Sequence, residues 1–190
     1  MSELEKTSRR QACIFQAVGE LLSEVDYPKF TIEEVASRAG VGKSTIYRWW
    51  KNRSDLIFAA FCEHTSAIFE LDFEESLRSN LIQQLEKLSI ALDHPIGRAL
   101  LVVMAENREA AGLFFHEYLL PRREQMRKLV AVSIQRQEIV AEYPFELMLD
   151  AVYGAIHYQI IFFNRIPDRS YIEQLVDLLL RPILVQSSSH

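Results

Sequence analysis

Residues 31–56 read TIEEVASRAGVGKSTIYRWWKNRSDL, and the fold turns on how that stretch is punctuated. Thr31 stands where a helix N-cap is needed, and Glu34 follows at the spacing of a capping box. Ile32, Val35, Ala36 and Ala39 recur in steps of three and four, so the helix they predict has one apolar face. Gly40 is placed to end it, because glycine closes a helix in the left-handed conformation without a steric cost. Gly42 then serves as N-cap of a short third helix through Trp50. Asn52 caps a fourth helix, with Asp55 near its positive end.

The faces of the third helix differ in chemistry. At about 100° per residue, Ile46 and Trp50 fall on one side, Ser44, Thr45 and Arg48 on the opposite side, and Tyr47 and Trp49 flank them. A polar outer face is what a helix needs to enter the major groove of double-stranded DNA. Arg48 can donate a bidentate pair to a guanine edge, Ser44 and Thr45 can donate to bases or phosphates, and Trp49 can meet a thymine methyl or a sugar edge. Lys43 at the helix start suits a phosphate. Thr31 can supply another backbone contact. Trp50, on the inner side, is expected in the core.

Net charge looks wrong for such a role at −5, since phosphate rewards clustered Lys and Arg. The distribution resolves it. Residues 1–56 hold nine bases against eight acids, and the five bases from Arg38 to Arg53 (with Lys43, Arg48 and Lys51) have no acid between them.

The motif resembles the DNA-binding segment of the TetR family of regulators. The resemblance rests on a helix followed by Ala39-Gly40-Val41, a short helix with Lys43, Thr45, Ile46 and Tyr47, an aromatic at Trp50, and Arg53 and Leu56 opening the next helix. With the first helix it covers about Arg9 to Leu56. Asp26 stands where the family usually has a turn glycine, and Gly42 replaces the commoner serine cap. The resemblance implies that Tyr47 and Arg53 contact phosphates. It further implies a C-terminal ligand pocket, a homodimer formed through the last two helices, and a repressor released from a palindromic operator by a small-molecule effector. The competing expectation is a DNA binder governed by a protein partner, or an architectural one.

Outward from the motif, helical periodicity dominates, and an all-α fold is expected, with a three-helix head followed by a helical effector and dimerisation domain. Ile14, Phe15, Val18, Leu21, Leu22 and Val25 give the first helix an apolar face before Asp26 and Pro28 break it. The fourth helix is expected to run from Arg53 to about Leu71 and to connect the two halves. Further helices are predicted over 74–92, 95–106, 108–137 with Pro121 interrupting, 145–164 and 169–184, with Asp93 and Asp168 as helix starts. Domains are expected at 1–52 and 53–186, with a flexible tail at 187–190.

Candidate effector contacts are Phe61, Phe69, Met104, Phe114, His116, Tyr118, Tyr153 and His157, a set that would suit a small apolar or aromatic molecule. Aromatics at this spacing more often form core. No stretch approaches the roughly 18 apolar residues of a membrane span, and the N-terminus lacks an apolar signal core, so a cytoplasmic protein is expected. Cys13 and Cys62 lack zinc or redox spacing and are expected to be reduced. No phosphate-binding glycine loop, nucleophile elbow or metal motif is present, so neither catalysis nor a cofactor or metal is expected.

Overall fold

The computed structural model describes residues 3–66, 68–140, 142 and 144–181. Among them the regular structure is helical, as expected. The first six helices are α1 (Glu3–Glu24), α2 (Ile32–Arg38), α3 (Lys43–Trp49), α4 (Arg53–His64), α5 (Leu77–Asp93) and α6 (Pro95–Glu106). They are followed by α7 (Arg108–Phe114), α8 (Leu120–Gln135), α9 (Phe145–Phe162) and α10 (Arg169–Leu180). The chain divides into two compact units. One comprises Met1–Ser66 with His94–Tyr118, the other Ala67–Asp93 with Leu119–His190. The helices of the expected head all lie in the first unit, together with α4, α6 and α7. The tail 187–190 and the last turn expected for α10 lie outside the described residues.

In the first unit, Ile14, Val18 and Leu21 of α1 are buried with Phe30, Val35 and Ile46, and each such side chain contributes about 1.5–3 kcal/mol of burial. The caps behave as the sequence requires. Thr31 Oγ1 accepts the Glu34 N–H at 3.3 Å, and Asn52 Oδ1 accepts the Asp55 N–H at 2.9 Å. Glu34 does not complete the capping box on the Thr31 backbone; its carboxylate accepts the Thr31 hydroxyl at 3.5 Å instead. Gly40 has φ +64°. Around it the Val41 N–H reaches Ala36 O at 3.0 Å and the Gly40 N–H reaches Ser37 O at 3.3 Å, the paired bonds of a Schellman closure.

Helix α4 is shorter than expected and stays within the first unit. It ends at His64 because buried Thr65 turns its hydroxyl back onto Phe61 O at 2.8 Å and in turn accepts the Tyr118 hydroxyl at 2.9 Å. α6 begins on His94 rather than Asp93: the His94 Nδ1 accepts the Ile96 N–H at 3.3 Å. Pro121 has the interrupting effect read from sequence. It has no N–H for the Glu117 carbonyl and its ring crowds that oxygen, and the chain widens into a single π-helical turn over Phe115–Leu119 between α7 and α8.

The second unit packs α5 with α8, α9 and α10. Leu81, Leu85, Met126, Leu129, Leu149, Ile156 and Val176 form its interior. Asp168 caps α10 through the Tyr171 N–H at 2.8 Å, as expected. Among the described residues no single helix is long and apolar enough to cross a membrane.

Candidate nucleic-acid interface

The head helices present one polar corner built from α3 and the start of α4. Ile46 is fully buried and Trp50 is 8% exposed. Trp50 packs on Phe15 at 5.3 Å between ring centroids and edge-on against Trp49 at 5.5 Å. These contacts fix α3 through its inner side. Ser44 and Arg48 therefore point to solvent with Tyr47, which is 48% exposed, while Thr45 and Trp49 are half-buried. The guanidinium of Arg48 lies 5.5 Å from the Trp49 ring centre, an arrangement that restrains the arginine without using up its N–H donors.

Arg53 opens α4 with its guanidinium 4.4 Å from the centre of the Tyr27 ring. Tyr27 is buried, and its hydroxyl lies 3.3 Å from Ser54 Oγ. Arg53 is thus anchored at the start of α4 on the turn that joins α1 to α2.

The five bases between Arg38 and Arg53 are not equivalent. Arg38 is held by Glu24 of α1 through two bonds of 2.7 and 2.5 Å. Lys43 is held by Glu33 of α2 at 3.0 Å, and its ammonium keeps the Glu33 carboxyl below the usual carboxylate range. Among the described residues the side chains of Arg48, Lys51 and Arg53 form no ion pair, although the Lys51 backbone N–H donates to the Asp55 carboxylate at 3.2 Å. The free positive charge is therefore narrower than the sequence alone indicated. It runs from Arg48 to Arg53 and borders Ser44, Thr45 and Tyr47.

The family model described as "Bacterial regulatory proteins, tetR family" matches residues 14–60, and the model "Tetracyclin repressor-like, C-terminal domain" matches residues 74–179. This chain belongs to the TetR family. As a TetR-family helix-turn-helix protein it is a transcription regulator and not an enzyme. An HTH-type transcriptional regulator of Mycobacterium tuberculosis is 25% identical to it over 183 residues, 95% of this chain and 91% of that one. The crystal structure of TetR family transcription regulator SCO0332 superposes with a TM-score of 0.71 at 22% identity, covering 93% of this chain and 99% of that one. The regulator FadR from Bacillus subtilis, in complex with stearoyl-CoA, superposes with a TM-score of 0.67 at 20% identity, covering 89% and 97%.

The eight residues singled out as effector contacts do not share one environment. Phe61, Met104, Phe114, His116 and Tyr118 belong to the first unit of this TetR-family chain, and Phe69, Tyr153 and His157 to the second. Phe61, Phe114 and Tyr118 come together: Phe114 stacks on Tyr118 at 4.9 Å, and Phe61 lies 5.4 Å from Tyr118. Phe58, one turn before Phe61 on α4, joins them at 6.0 Å from Phe114. Its i, i+3 spacing with Phe61 was the available signal. Phe61 and Tyr118 are buried, Phe114 and Met104 half-buried, and His116 is exposed. In the second unit Phe69 carries the Arg122 guanidinium at 4.8 Å. Tyr153 donates to Gln84 Oε1 at 2.9 Å, and the His157 Nδ1 lies 2.8 Å from Tyr153 O. Among the described residues no group of three or more His, Cys, Asp or Glu is placed to hold a metal ion.

Proposed function

We propose that the protein is a cytoplasmic repressor that grips a near-palindromic operator as a homodimer and is released by a small apolar or aromatic effector. The observation that carries the reading is the corner of α3 and α4, where the side chains of Arg48, Lys51 and Arg53 form no ion pair beside exposed Ser44 and Tyr47 and half-buried Thr45. In this reading Arg48 selects a guanine edge, Ser44, Thr45 and Trp49 contact neighbouring bases or sugars, and Thr31, Lys43, Tyr47 and Arg53 clamp phosphates. Glu33 must hand Lys43 over to DNA. Residues 1–52 act as the DNA-binding head and 53–186 as the effector and dimerisation domain.

Dimerisation has its own support. On α9 the residues Leu147, Ala151, Gly154, Tyr158 and Ile161 are all exposed, at the alternating four- and three-residue spacing of a helix–helix seam. Leu147 is 64% exposed and Phe162 73%, and Leu178 on α10 is 66% exposed. Apolar side chains so placed call for a partner, and a two-fold dimer sets two reading helices about 34–36 Å apart for successive half-sites. A Cβ added at Gly154 meets no atom within 4 Å. Gly154→Arg should therefore leave the single chain folded while keeping two copies apart.

The effector reading is supported by the cluster of Phe58, Phe61, Phe114 and Tyr118. It joins α7 to α4, the helix that carries Arg53, so an apolar ligand inserted there would displace α4. The stearoyl-CoA complex of B. subtilis FadR shows that a related helical fold accepts an acyl chain. A ligand can shift DNA affinity only by its own difference in affinity between the two shapes.

The test is selection of duplexes from a random-sequence pool by the full-length protein. A recovered near-palindrome, bound with 1:2 DNA-to-protein stoichiometry and released by a long-chain fatty acid or its CoA ester, is the expected result. No enriched sequence would sink the reading. An operator that is never released by any ligand shown to bind the protein would remove the effector from it.

A further inference from the structure

The end of α4 and the start of α6 are joined by two imidazoles. His64, the last residue of α4, stacks on His94 with ring centroids 4.3 Å apart and planes 28° from parallel. His94 is the N-cap of α6, and its Nδ1 accepts the Ile96 N–H. An accepting Nδ1 carries no proton, so the ring is neutral with its hydrogen on Nε2. The two rings line an open groove of about 430 Å³ formed with Phe15 and Glu20 of α1, Glu63 of α4 and Ile96 of α6.

We propose that this stack is an acid-sensitive latch, holding α4 against α6 while the His94 ring is neutral and opening when it takes up a proton. Protonation of His94 at Nδ1 turns the cap's acceptor into a donor and leaves the Ile96 N–H without its partner. It also sets a positive charge at the α6 N-terminus, against the helix dipole, and against a second positive charge when His64 is protonated too.

The charged groups around the pair do not offset this. Glu20 faces the groove from α1 but is exposed and accepts the Gln16 amide at 2.9 Å. Glu63 is exposed beside His64, Arg98 adds positive charge on the first turn of α6, and Asp93 precedes His94 in the chain. Among the described residues neither imidazole forms an ion pair with a carboxylate.

Burial, and then the charge of a protonated His64, push His94 below the ordinary histidine value of 6.5. The unfolded chain therefore binds the proton first as pH falls. The latch's contribution to stability is whole above 6.5, is lost as pH drops from there to the lowered folded value, and levels off below it.

The test uses the full-length protein without DNA. Imidazole NMR titration should show His94 as the Nε2–H tautomer with a midpoint below 6.5; a midpoint at or above 6.5 overturns the proposal. On going from about pH 7.5 to about pH 5.5, the melting temperature of the wild type should fall, and the fall should shrink in His94→Asn, whose amide still caps α6. An equal fall in the variant overturns it. If that variant does not fold, amide exchange of residues 61–66 in the wild type decides. Protection, corrected for the intrinsic rate, should drop over the same pH interval, and unchanged protection contradicts the latch.

Discussion

Arg48 and Arg123 both extend from helices that carry arginine near their neighbours, and their surroundings are opposite. Arg123 on α8 is only 14% exposed in its side chain and is bonded to Glu146 at 2.6 Å and Asp150 at 2.8 Å, both on α9. Arg127, one turn on, shares Glu146 at 2.6 Å and takes Glu124 at 2.8 Å. Arg78 pairs with Asp177 and Arg169 with Glu86 and Glu173. These arginines of the second unit tie helices together through carboxylates. Arg48 and Arg53 instead rest on the rings of Trp49 and Tyr27, oriented by an aromatic plane and with their donors unclaimed by any acid. The lesson is that the number of bases in a segment says less than whether the fold supplies each with an acid. By that criterion the stretch from Arg48 to Arg53 is the surface we propose for anion binding, in a protein whose net charge is negative.

The contrast can be broken by substitution. Arg48→Ala should show the largest effect, costing about 1–3 kcal/mol at the selected operator and relaxing base preference at one position, with the fold intact; competition binding on single-base operator variants measures it. Arg123→Ala should do the reverse. It should destabilise the fold by about 1–2 kcal/mol, less than a fully buried pair because Glu146 is half exposed, and leave base preference unchanged. Urea unfolding checks the first part and the same competition assay the second.

The Glu146 carboxyl, held below its ordinary 4.5 by Arg127 and then Arg123, adds a pH signature. Its contribution is present above 4.5 and is lost as pH falls through the lowered folded value. Unfolding curves of wild type and Arg123→Ala should therefore converge in acid. Gly40→Ala should cost about 1 kcal/mol, because its φ of +64° is strained for any residue with a Cβ; thermal melts report it. The smallest effect belongs to Glu33→Gln, which frees Lys43. It should tighten DNA binding less than about fivefold at low salt, and the gain should vanish as salt screens the charges.

The head was legible because its signals are local. Thr31, Gly40 and Asn52 each act on backbone within a few residues, and the inner side of α3 follows from 3.6-residue periodicity alone. The pairing of Arg38 and Lys43 was not legible, since their acids sit on α1 and α2 and come within reach only after the helices pack. The end of α4 failed for the same reason. Thr65 stops the helix with help from Tyr118, 53 residues away, where periodicity would have continued to Leu71. The effector candidates, chosen as aromatics at helical spacing, could not reveal that they divide between two packing units. Phe58, at equal spacing, belonged with Phe61.

Salt-dependent binding of full-length Arg48→Ala and Arg127→Ala to one selected duplex tests the central claim most directly. Arg48→Ala should lose about fivefold or more in affinity, while Arg127→Ala, whose charge is already satisfied by Glu146 and Glu124, should match the wild type in both affinity and salt slope. Equal losses in the two variants, or no loss in Arg48→Ala, would contradict the assignment of the α3–α4 corner as the surface that reads DNA.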